Sequence, residues 1–251
     1  MESLKYWNSN TFEIASYKWS LDERKNKQIV GNASDKDKCV YTFNEFGFRG
    51  DSLKKDGIKI LSVGCSHTEG IGVNDTETWS HILSRKLKNG VDLNFGLSGR
   101  SNDYICRTIL SWYDCIKPDL VLIMYTYPHR REHYTEVGGV EPFHPSPWGY
   151  FSDDDIGKKC WEGILTTLNE NENFINWYKN HLLITLFLKS KNIPFIWNGT
   201  FLNTEYRDEN RFDGEYPNFL DNHFHATFTD NKNYADKLYE FLLQRNLISN
   251  D

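Results

Sequence analysis

A short apolar run that ends in glycine occupies residues 58–64, with the sequence Ile58-Lys59-Ile60-Leu61-Ser62-Val63-Gly64. Such a run, bounded by glycine, is typical of a strand buried in a parallel sheet. A glycine-rich turn follows it and reads Cys65-Ser66-His67-Thr68-Glu69-Gly70-Ile71-Gly72. Turns of this kind present a small polar side chain at the edge of a sheet, where backbone N–H groups point at the same place. The pattern therefore predicts a strand with a candidate site at its carboxyl end.

Segments with strand and helix patterns alternate through the rest of the chain. Further strands are predicted at residues 91–95, 119–125 and 193–197. Apolar residues at helical spacing predict helices at residues 76–87, 101–116, 172–191 and 229–243. In the third of these, apolar side chains recur every four residues at Phe174, Tyr178, Leu182 and Leu186. This alternation predicts an α/β fold in three layers, in which helices cover both faces of a mostly parallel sheet.

The composition is that of a folded chain and excludes several function classes. The protein has 251 residues, 25% of them charged and 15% aromatic, with a formal net charge of −6. This charge, without a stripe of Lys and Arg, argues against a nucleic-acid partner. No run of about 18 apolar residues predicts a membrane span. No signal pattern opens the chain, so we expect a cytoplasmic protein without a membrane partner.

Metal and cofactor chemistry has no support in the sequence. The five cysteines are widely spaced and include no C-x-x-C pair. Such spacing favours reduced thiols over a disulfide framework or a zinc site. We therefore expect neither a metal nor a cofactor.

The chain divides into two unequal parts by its sequence pattern. Residues 1–56 form a polar lead-in that we expect to pack on the core, and residues 57–251 form the α/β domain. Residues 128–170 lack a sustained period and are too long for an ordinary connector, which predicts an insertion. Its aromatic residues fit either a core or a surface that stacks on a sugar ring: Trp148, Tyr150, Phe151 and Trp161.

A serine at a helix entrance suits nucleophilic catalysis. Its hydroxyl is a weak nucleophile that needs a base and a group that stabilises the oxyanion. Taken alone, Gly64-Cys65-Ser66 also fits a phosphate-binding turn or a plain connection between strand and helix. Cys65 is intrinsically the better nucleophile of the two side chains. The neighbouring sequence is therefore needed to choose between them.

Two blocks of sequence resemble the SGNH (GDSL-type) hydrolase family. Residues 64–70 are similar to its first block, G-D-S-x-x-x-G, with Cys65 in place of aspartate. Residues 94–99 are similar to its second block, N-x-G-x-S-G. The resemblance implies a flavodoxin-like sheet and a nucleophilic Ser66, with Cys65 serving only the turn. It also implies that the N–H groups of Ser66 and Gly99 donate to the oxyanion.

The third block departs from the family pattern G-x-N-D. Pro128 stands where the family has an asparagine that donates to the oxyanion, and proline has no such donor. We expect the loop after residues 119–125 to replace it, through Thr126, Tyr127, His129 or Arg130. Of these, Thr126 is the candidate oxyanion donor. The other three are candidate substrate-binding residues.

The last block leaves two candidates for the base. Asp221-Asn222-His223-Phe224-His225 resembles the family pattern D-x-x-H, but His223 stands one residue too early and His225 one too late. The spacing from His225 to Ala235 matches that between the family's histidine and a small residue on its final helix. The resemblance thus implies His225 as the base, with His223 as the alternative, and Asp221 as the carboxylate that orients the imidazole.

These residues together predict a serine esterase. It would hydrolyse a carboxylic ester through an acyl-enzyme, with a small-molecule or carbohydrate ester, such as an O-acetylated sugar, as its substrate. Two alternatives stay open: an acyltransferase that uses the same serine, and a binding protein that kept the fold without the chemistry. The sequence gives no oligomeric state.

Overall fold

The computed structural model of this chain describes residues 21–31, 38–134, 140–143, 163, 169–199, 201–202, 205–216 and 225–249. Its strands are β1 (Gln28–Gly31), β2 (Cys39–Thr42), β3 (Arg49–Gly50), β4 (Ile58–Val63), β5 (Gly90–Asn94), β6 (Leu120–Met124), β7 (Arg131–Tyr134), β8 (Val140–Phe143), β9 (Phe195–Asn198) and β10 (Arg211–Phe212). Its α-helices are α1 (Leu21–Arg24), α2 (Ser66–Glu69), α3 (Trp79–Lys86), α4 (Asn102–Ile116), α5 (Glu170–Ser190) and α6 (Phe228–Gln244).

The central sheet has the strand order β10-β9-β6-β4-β5-β3 within the described part of the chain. Strands β4, β5, β6, β9 and β10 pair in parallel, and β3 pairs antiparallel to β5 at the edge. Counted along the chain, the parallel strands lie in the order 2-1-3-4-5, which is the flavodoxin-like order. The predicted mostly parallel, flavodoxin-like sheet is confirmed.

Two layers of helices cover the faces of this sheet. Successive side chains of a strand point to opposite faces, and β6 sends Leu122 and Met124 to one face and Val121 and Ile123 to the other. Helices α3 and α6 pack on the first face, whereas α4 and α5 pack on the second. The predicted three-layer α/β/α architecture is therefore confirmed.

The residues before β4 contribute to both the sheet and the core. Phe48 is buried, and its ring stacks on Phe95 with 3.9 Å between the centroids. The hairpin of β1 and β2 packs through Tyr41 and Phe43 against Ile71, just beyond α2. The division into a lead-in at residues 1–56 and a domain at 57–251 stays a prediction.

Part of the predicted insertion at residues 128–170 is an antiparallel hairpin of β7 and β8. Its aromatic residues Trp148, Tyr150, Phe151 and Trp161 lie outside the described residues. None of the helices in the described part of the chain has the length and apolar character that a bilayer crossing requires.

Candidate active site

Ser66 and Thr126 follow neighbouring strands at the point where the strand order reverses. Strand β4 lies between β5 and β6, so the chain leaves it in one direction and later returns on its other side. Ligands of open α/β sheets bind in the crevice at such a switch point, beyond the carboxyl ends of the strands. The topology thus brings the predicted nucleophile and the loop after β6 to the same crevice.

Ser66 is the first residue of α2 and has only 9% of its surface exposed. The side chain of Cys65, at the N-cap, makes no capping hydrogen bond. The Ser66 N–H donates to no described acceptor, as is usual for the first N–H groups of a helix. A Cβ at Gly64 would lie 2.1 Å from Thr68 Oγ1, so glycine lets α2 start this close to the strand. Ser66 therefore offers a hydroxyl and an unused amide donor at one place.

The loop after β5 packs directly on α2. A Cβ at Gly96 would lie 2.2 Å from the backbone nitrogen of Glu69. The Asn94 side chain accepts the Gly96 N–H at 3.0 Å and donates to the Thr68 carbonyl at 2.6 Å. Glu69 Oε2 accepts the Ser98 N–H at 2.6 Å. The second loop is thus fixed to the helix that begins with Ser66.

Gly99 lies in a tight turn next to these contacts. The Arg100 N–H donates to the Leu97 carbonyl at 3.3 Å, and Gly99 has a φ of 74°. A positive φ at the third position is the mark of a type II turn, which favours glycine. The Gly99 N–H makes no hydrogen bond with a described residue. It is therefore a second unused donor on the loop that packs against α2.

Thr126 is fully buried and is held by the first residue of α4. Its N–H donates to Asn102 Oδ1 at 2.9 Å, and its carbonyl accepts from Asn102 Nδ2 at 3.1 Å. Its hydroxyl accepts from Arg130 Nη1 at 2.8 Å. Because the backbone N–H is engaged, only the hydroxyl can donate to a substrate. The role of Thr126 as an oxyanion donor stays a prediction.

His225 lies beside the residue that follows Ser66. The ring centroids of His67 and His225 are 5.3 Å apart. No hydrogen bond joins Ser66 to His225 within the described residues, and catalytic hydrogen bonds often tighten only when substrate binds. Burial lowers the pKa of His225, the carboxylate of Glu69 raises it and the guanidinium of Arg130 lowers it. The imidazole is therefore neutral near pH 7, which is the form that a general base requires.

An aromatic wall lies against the ring of His67. The His67 ring stacks on Phe201 at 4.5 Å and meets the edge of Tyr216 at 5.4 Å. Burial lowers the pKa of His67 to about 3, with smaller contributions from His225 and Arg130. So weak a base remains neutral, which fits a wall of the pocket better than a proton acceptor.

The predicted substrate-binding residues continue the same wall. The Tyr127 ring lies 5.3 Å from Phe201 and stacks on His129 at 5.5 Å. The guanidinium carbon of Arg130 lies 5.0 Å from the centre of the Tyr127 ring. Burial lowers the pKa of His129 to about 4, and the charges of Arg130 and Arg131 add to this effect. The structure thus groups the three residues at the crevice, while their role stays a prediction.

Side chains that hold α2 in place were missed by the sequence analysis. Arg49 Nη1 donates to the carbonyls of Glu69 and Gly70 at 2.8 and 2.6 Å, at the end of α2. Arg49 Nη2 donates to the Val73 carbonyl at 3.0 Å. Glu69 Oε1 accepts from Arg24 Nη1 at 2.7 Å. Glu69 lies in the first block, but nothing in the sequence marks the two arginines.

Two predicted triad members cannot be placed. Asp221 and His223 lie outside the described residues, within 217–224. Their roles as orienting carboxylate and alternative base stay predictions. Within the residues that the structure describes, no group of three His, Cys, Asp or Glu side chains could hold a metal ion.

A cavity of about 860 Å³ opens beside the aromatic wall, beyond the ends of β9 and β10. Tyr216, whose ring contacts His67, is one of its lining residues. The cavity also has a second tyrosine, an amide and charges of both signs in its lining, including Asn198, Asp230, Tyr234 and Lys237. A concave site with a few polar groups among aromatic ones is typical of small-molecule binding.

Comparison with protein-family models and with curated proteins found no match. Solved structures of SGNH (G-D-S-L) hydrolases do match. A member of the lipolytic protein G-D-S-L family from Veillonella parvula is 14% identical, over 75% of this chain and 74% of its own, with a TM-score of 0.34. The family 3 carbohydrate esterase from Clostridium thermocellum is 16% identical, over 77% and 100%, with a TM-score of 0.34. AlinE4, an SGNH-hydrolase family esterase, is 19% identical, over 57% and 59%, with a TM-score of 0.35.

These matches agree with the resemblance found in the sequence. At this level of identity and TM-score, neither an activity nor the role of a residue follows from them. The function is therefore inferred from the residues and contacts of this chain.

Proposed function

We propose that the protein is a serine esterase that hydrolyses a carboxylic ester through an acyl-enzyme on Ser66. The observation that supports this most is the packing of the loop that contains Gly99 on α2, with the N–H groups of Ser66 and Gly99 not hydrogen-bonded to any described residue. Two preorganised N–H donors beside a hydroxyl suit the oxyanion of acyl transfer. The His225 ring, beside His67, supplies a neutral imidazole at the same crevice.

The reaction proceeds in two stages. Ser66 Oγ forms a bond with the acyl carbon while His225 takes the hydroxyl proton, and the carbonyl electrons move to an oxyanion held by Ser66 and Gly99. The carbon–oxygen bond to the alcohol then breaks, and the alcohol leaves with the proton from His225. Water attacks the acyl-enzyme and gives a proton to His225. That proton returns to Ser66 Oγ as the acid departs.

Thr126 supplies the third oxyanion hydrogen bond in this proposal. Its hydroxyl oxygen accepts from Arg130 Nη1, so its own proton is free to donate. A hydroxyl that accepts from a cation becomes a stronger donor. The Thr126 hydroxyl would thus replace the side-chain amide of the asparagine that the family has at the position of Pro128.

The alcohol part of the ester is proposed to lie in the cavity beside Tyr216. The mixture of tyrosine rings and charged side chains there suits a hydroxyl-rich alcohol, and an O-acetylated carbohydrate is the substrate that we favour. Asp221 is assigned to orient the imidazole of His225.

Hydrolysis of p-nitrophenyl acetate, with fluorophosphonate labelling and mass spectrometry, tests the nucleophile. We expect label on Ser66, and a loss of about 10³-fold or more in kcat for Ser66→Ala. Ser190→Ala, which changes a hydroxyl at the exposed end of α5, should behave as wild type. A protein that takes no label and does not hydrolyse the ester would be a binding protein, whereas activity unchanged in Ser66→Ala would show that Ser66 is not the nucleophile.

Two further experiments separate the alternatives within this proposal. His225→Ala should lose activity and His223→Ala should retain it, and the reverse result would make His223 the base. An added sugar acceptor separates hydrolysis from acyl transfer. If the acyl group passes to the sugar faster than to water, the protein is an acyltransferase with the same serine.

A further inference from the structure

The charge of Arg130 lacks a carboxylate partner among the described residues. Its hydrogen-bonding side-chain contact there goes to the neutral hydroxyl of Thr126. Its Nε is buried and makes no hydrogen bond with a described residue. Three other arginines with little exposed surface pair with acids: Arg24 with Glu69, Arg49 with Asp75, and Arg107 with Glu132. Arg130 is therefore a partly buried cation without a counter-ion in the described structure.

This cation belongs to the candidate active site. Its guanidinium lies over the ring of Tyr127, and that ring packs against Phe201. Phe201 also stacks on the ring of His67. The positive charge of Arg130 contributes to lowering the pKa of both imidazoles of the crevice, those of His67 and His225. A ligand bound beside Ser66 would thus lie within reach of its field.

The buried acid Glu69 does not pair with Arg130. Glu69 also lies at this crevice, but its two oxygens accept from Arg24 and from the Ser98 N–H. An unpaired charge in a partly buried site is unfavourable, and a ligand of opposite charge relieves that penalty. Nη1 is engaged by Thr126, and Nε is buried. A carboxylate forms a strong, charge-assisted hydrogen bond with a guanidinium group such as that of Arg130.

We propose that Arg130 binds a carboxylate of the ester, so that the enzyme prefers anionic esters to neutral esters of the same size. This inference rests on the proposed esterase function. The carboxylate can belong to the acyl group, as in a half-ester of a dicarboxylic acid, or to the alcohol, as in an acylated uronate.

Two matched pairs of substrates test the preference and locate the charge. The acyl side is tested by mono-p-nitrophenyl glutarate against p-nitrophenyl valerate, and the alcohol side by 4-acetoxybenzoate against 4-acetoxybenzamide. In one pair, wild-type kcat/KM should favour the anion by about 10- to 100-fold, as expected for a charge-assisted pair. Arg130→Gln should abolish that preference, and Arg130→Lys should keep part of it.

Lys232→Gln is the charge control, because it removes one positive charge from an exposed part of α6. It should keep the wild-type preference. Glutarate should also inhibit wild-type hydrolysis of p-nitrophenyl acetate, whereas glutaramide should not, which gives a test that needs no variant.

The results separate failure of this inference from failure of the esterase proposal. Equal rates within both pairs, or a preference that survives in Arg130→Gln, would refute anion binding while the Ser66-dependent esterase stands. An absence of hydrolysis of all four esters, with no label on Ser66, would refute the esterase proposal itself.

Discussion

Glu69 Oε2 accepts the backbone N–H of Ser98 at 2.6 Å and so joins α2, which begins with Ser66, to the loop that contains Gly99. Glu69 belongs to the same turn of helix as Ser66, and Ser98 directly precedes Gly99. The carboxylate has only 3% of its surface exposed, and hydrogen bonds of buried charged groups are strong. One side chain thus links the helix that begins with Ser66 to the residue next to Gly99, the proposed second oxyanion donor.

Glu69→Gln should lower kcat by about 10-fold or more with little change in KM. A glutamine side chain has an oxygen at only one of the two positions that Glu69 Oε1 and Oε2 occupy, so it cannot accept at both. The loss of a charge-assisted hydrogen bond is worth about 1.5–3 kcal/mol. Steady-state kinetics with p-nitrophenyl acetate measure the effect. Glu170→Gln, at an exposed position on α5, is the control. A Glu69→Gln enzyme with wild-type kcat would contradict this coupling.

The pH profile should report the environment of His225. Its pKa is lowered by burial, so the acid limb of kcat/KM should lie below pH 6.5, the usual pKa of histidine. The charge of Glu69 raises this pKa and that of Arg130 lowers it. Glu69→Gln should therefore move the acid limb to lower pH, and Arg130→Gln should move it to higher pH.

The measurement is kcat/KM for p-nitrophenyl acetate from pH 4 to pH 9. Movement of the limb in the same direction in both variants would show that His225 is not the titrating base.

Arg49→Met should destabilise the fold far more than a surface change. The buried Arg49 pairs with Asp75 at 2.8 Å and donates to the carbonyls of Glu69 and Gly70 at the end of α2. Removing Arg49 leaves these backbone carbonyls without their donor, at a cost of about 1–3 kcal/mol for each buried group left unsatisfied. Urea unfolding should show a loss of this size. Lys232→Met breaks an exposed pair and should cost less than about 1 kcal/mol.

If Arg49→Met lowers the free energy of unfolding no more than Lys232→Met does, Arg49 does not hold α2.

Features that depend on neighbours in sequence were predictable. Ser66 and Gly99 stand in short motifs directly after strands, so the sequence alone indicates both as candidate site residues. The contacts that fix them come from far along the chain: Arg24 reaches Glu69 across 45 residues, and Arg49 reaches it across 20. Polar side chains in a lead-in give no periodic signal, so sequence patterns could not indicate these partners.

In helix α5, too, the sequence pattern did not indicate which side chains are buried. Its position was predicted well, but the repeat that includes Leu182 and Leu186 is largely exposed. The buried face instead includes Trp177 and His181. His181 is buried because Tyr125 and Asp208 bond its two ring nitrogens, at 3.1 and 3.0 Å. A histidine becomes a core residue through such distant partners, which an apolar pattern does not reveal.

Gly96→Ala should disrupt the candidate site. The added methyl would lie 2.2 Å from the Glu69 nitrogen and 2.6 Å from the Thr68 carbonyl carbon. Both are backbone atoms of α2, so the loop and the helix must separate. We expect a lower melting temperature and loss of esterase activity. Gly163→Ala is the matched control, because its Cβ would meet nothing within 4 Å. Wild-type activity in Gly96→Ala would contradict the close packing.

Asp92→Asn should stabilise the protein at alkaline pH. Asp92 lies on β5 with 2% of its surface exposed, and its Oδ1 makes no hydrogen bond with a described residue. Burial, aided by the charge of Asp51, raises its pKa to about 7 from an ordinary value of 3.8. His81 lies 3.9 Å away, but burial lowers its pKa, so it is neutral at pH 8 and does not compensate the carboxylate.

The sign of the pH dependence follows from that raised pKa. The folded state holds the Asp92 proton more tightly than the unfolded state. The stabilising contribution of the protonated group to the free energy of unfolding is therefore complete below about pH 4 and is lost as the pH rises through 7. Asparagine removes the buried charge. Urea unfolding should show Asp92→Asn more stable than wild type by about 2 kcal/mol or more at pH 8, with a smaller gain at pH 5. Asp114→Asn, an exposed change on α4, should match wild type at both values. A loss of stability in Asp92→Asn at pH 8 would mean that the folded protein requires the charged carboxylate.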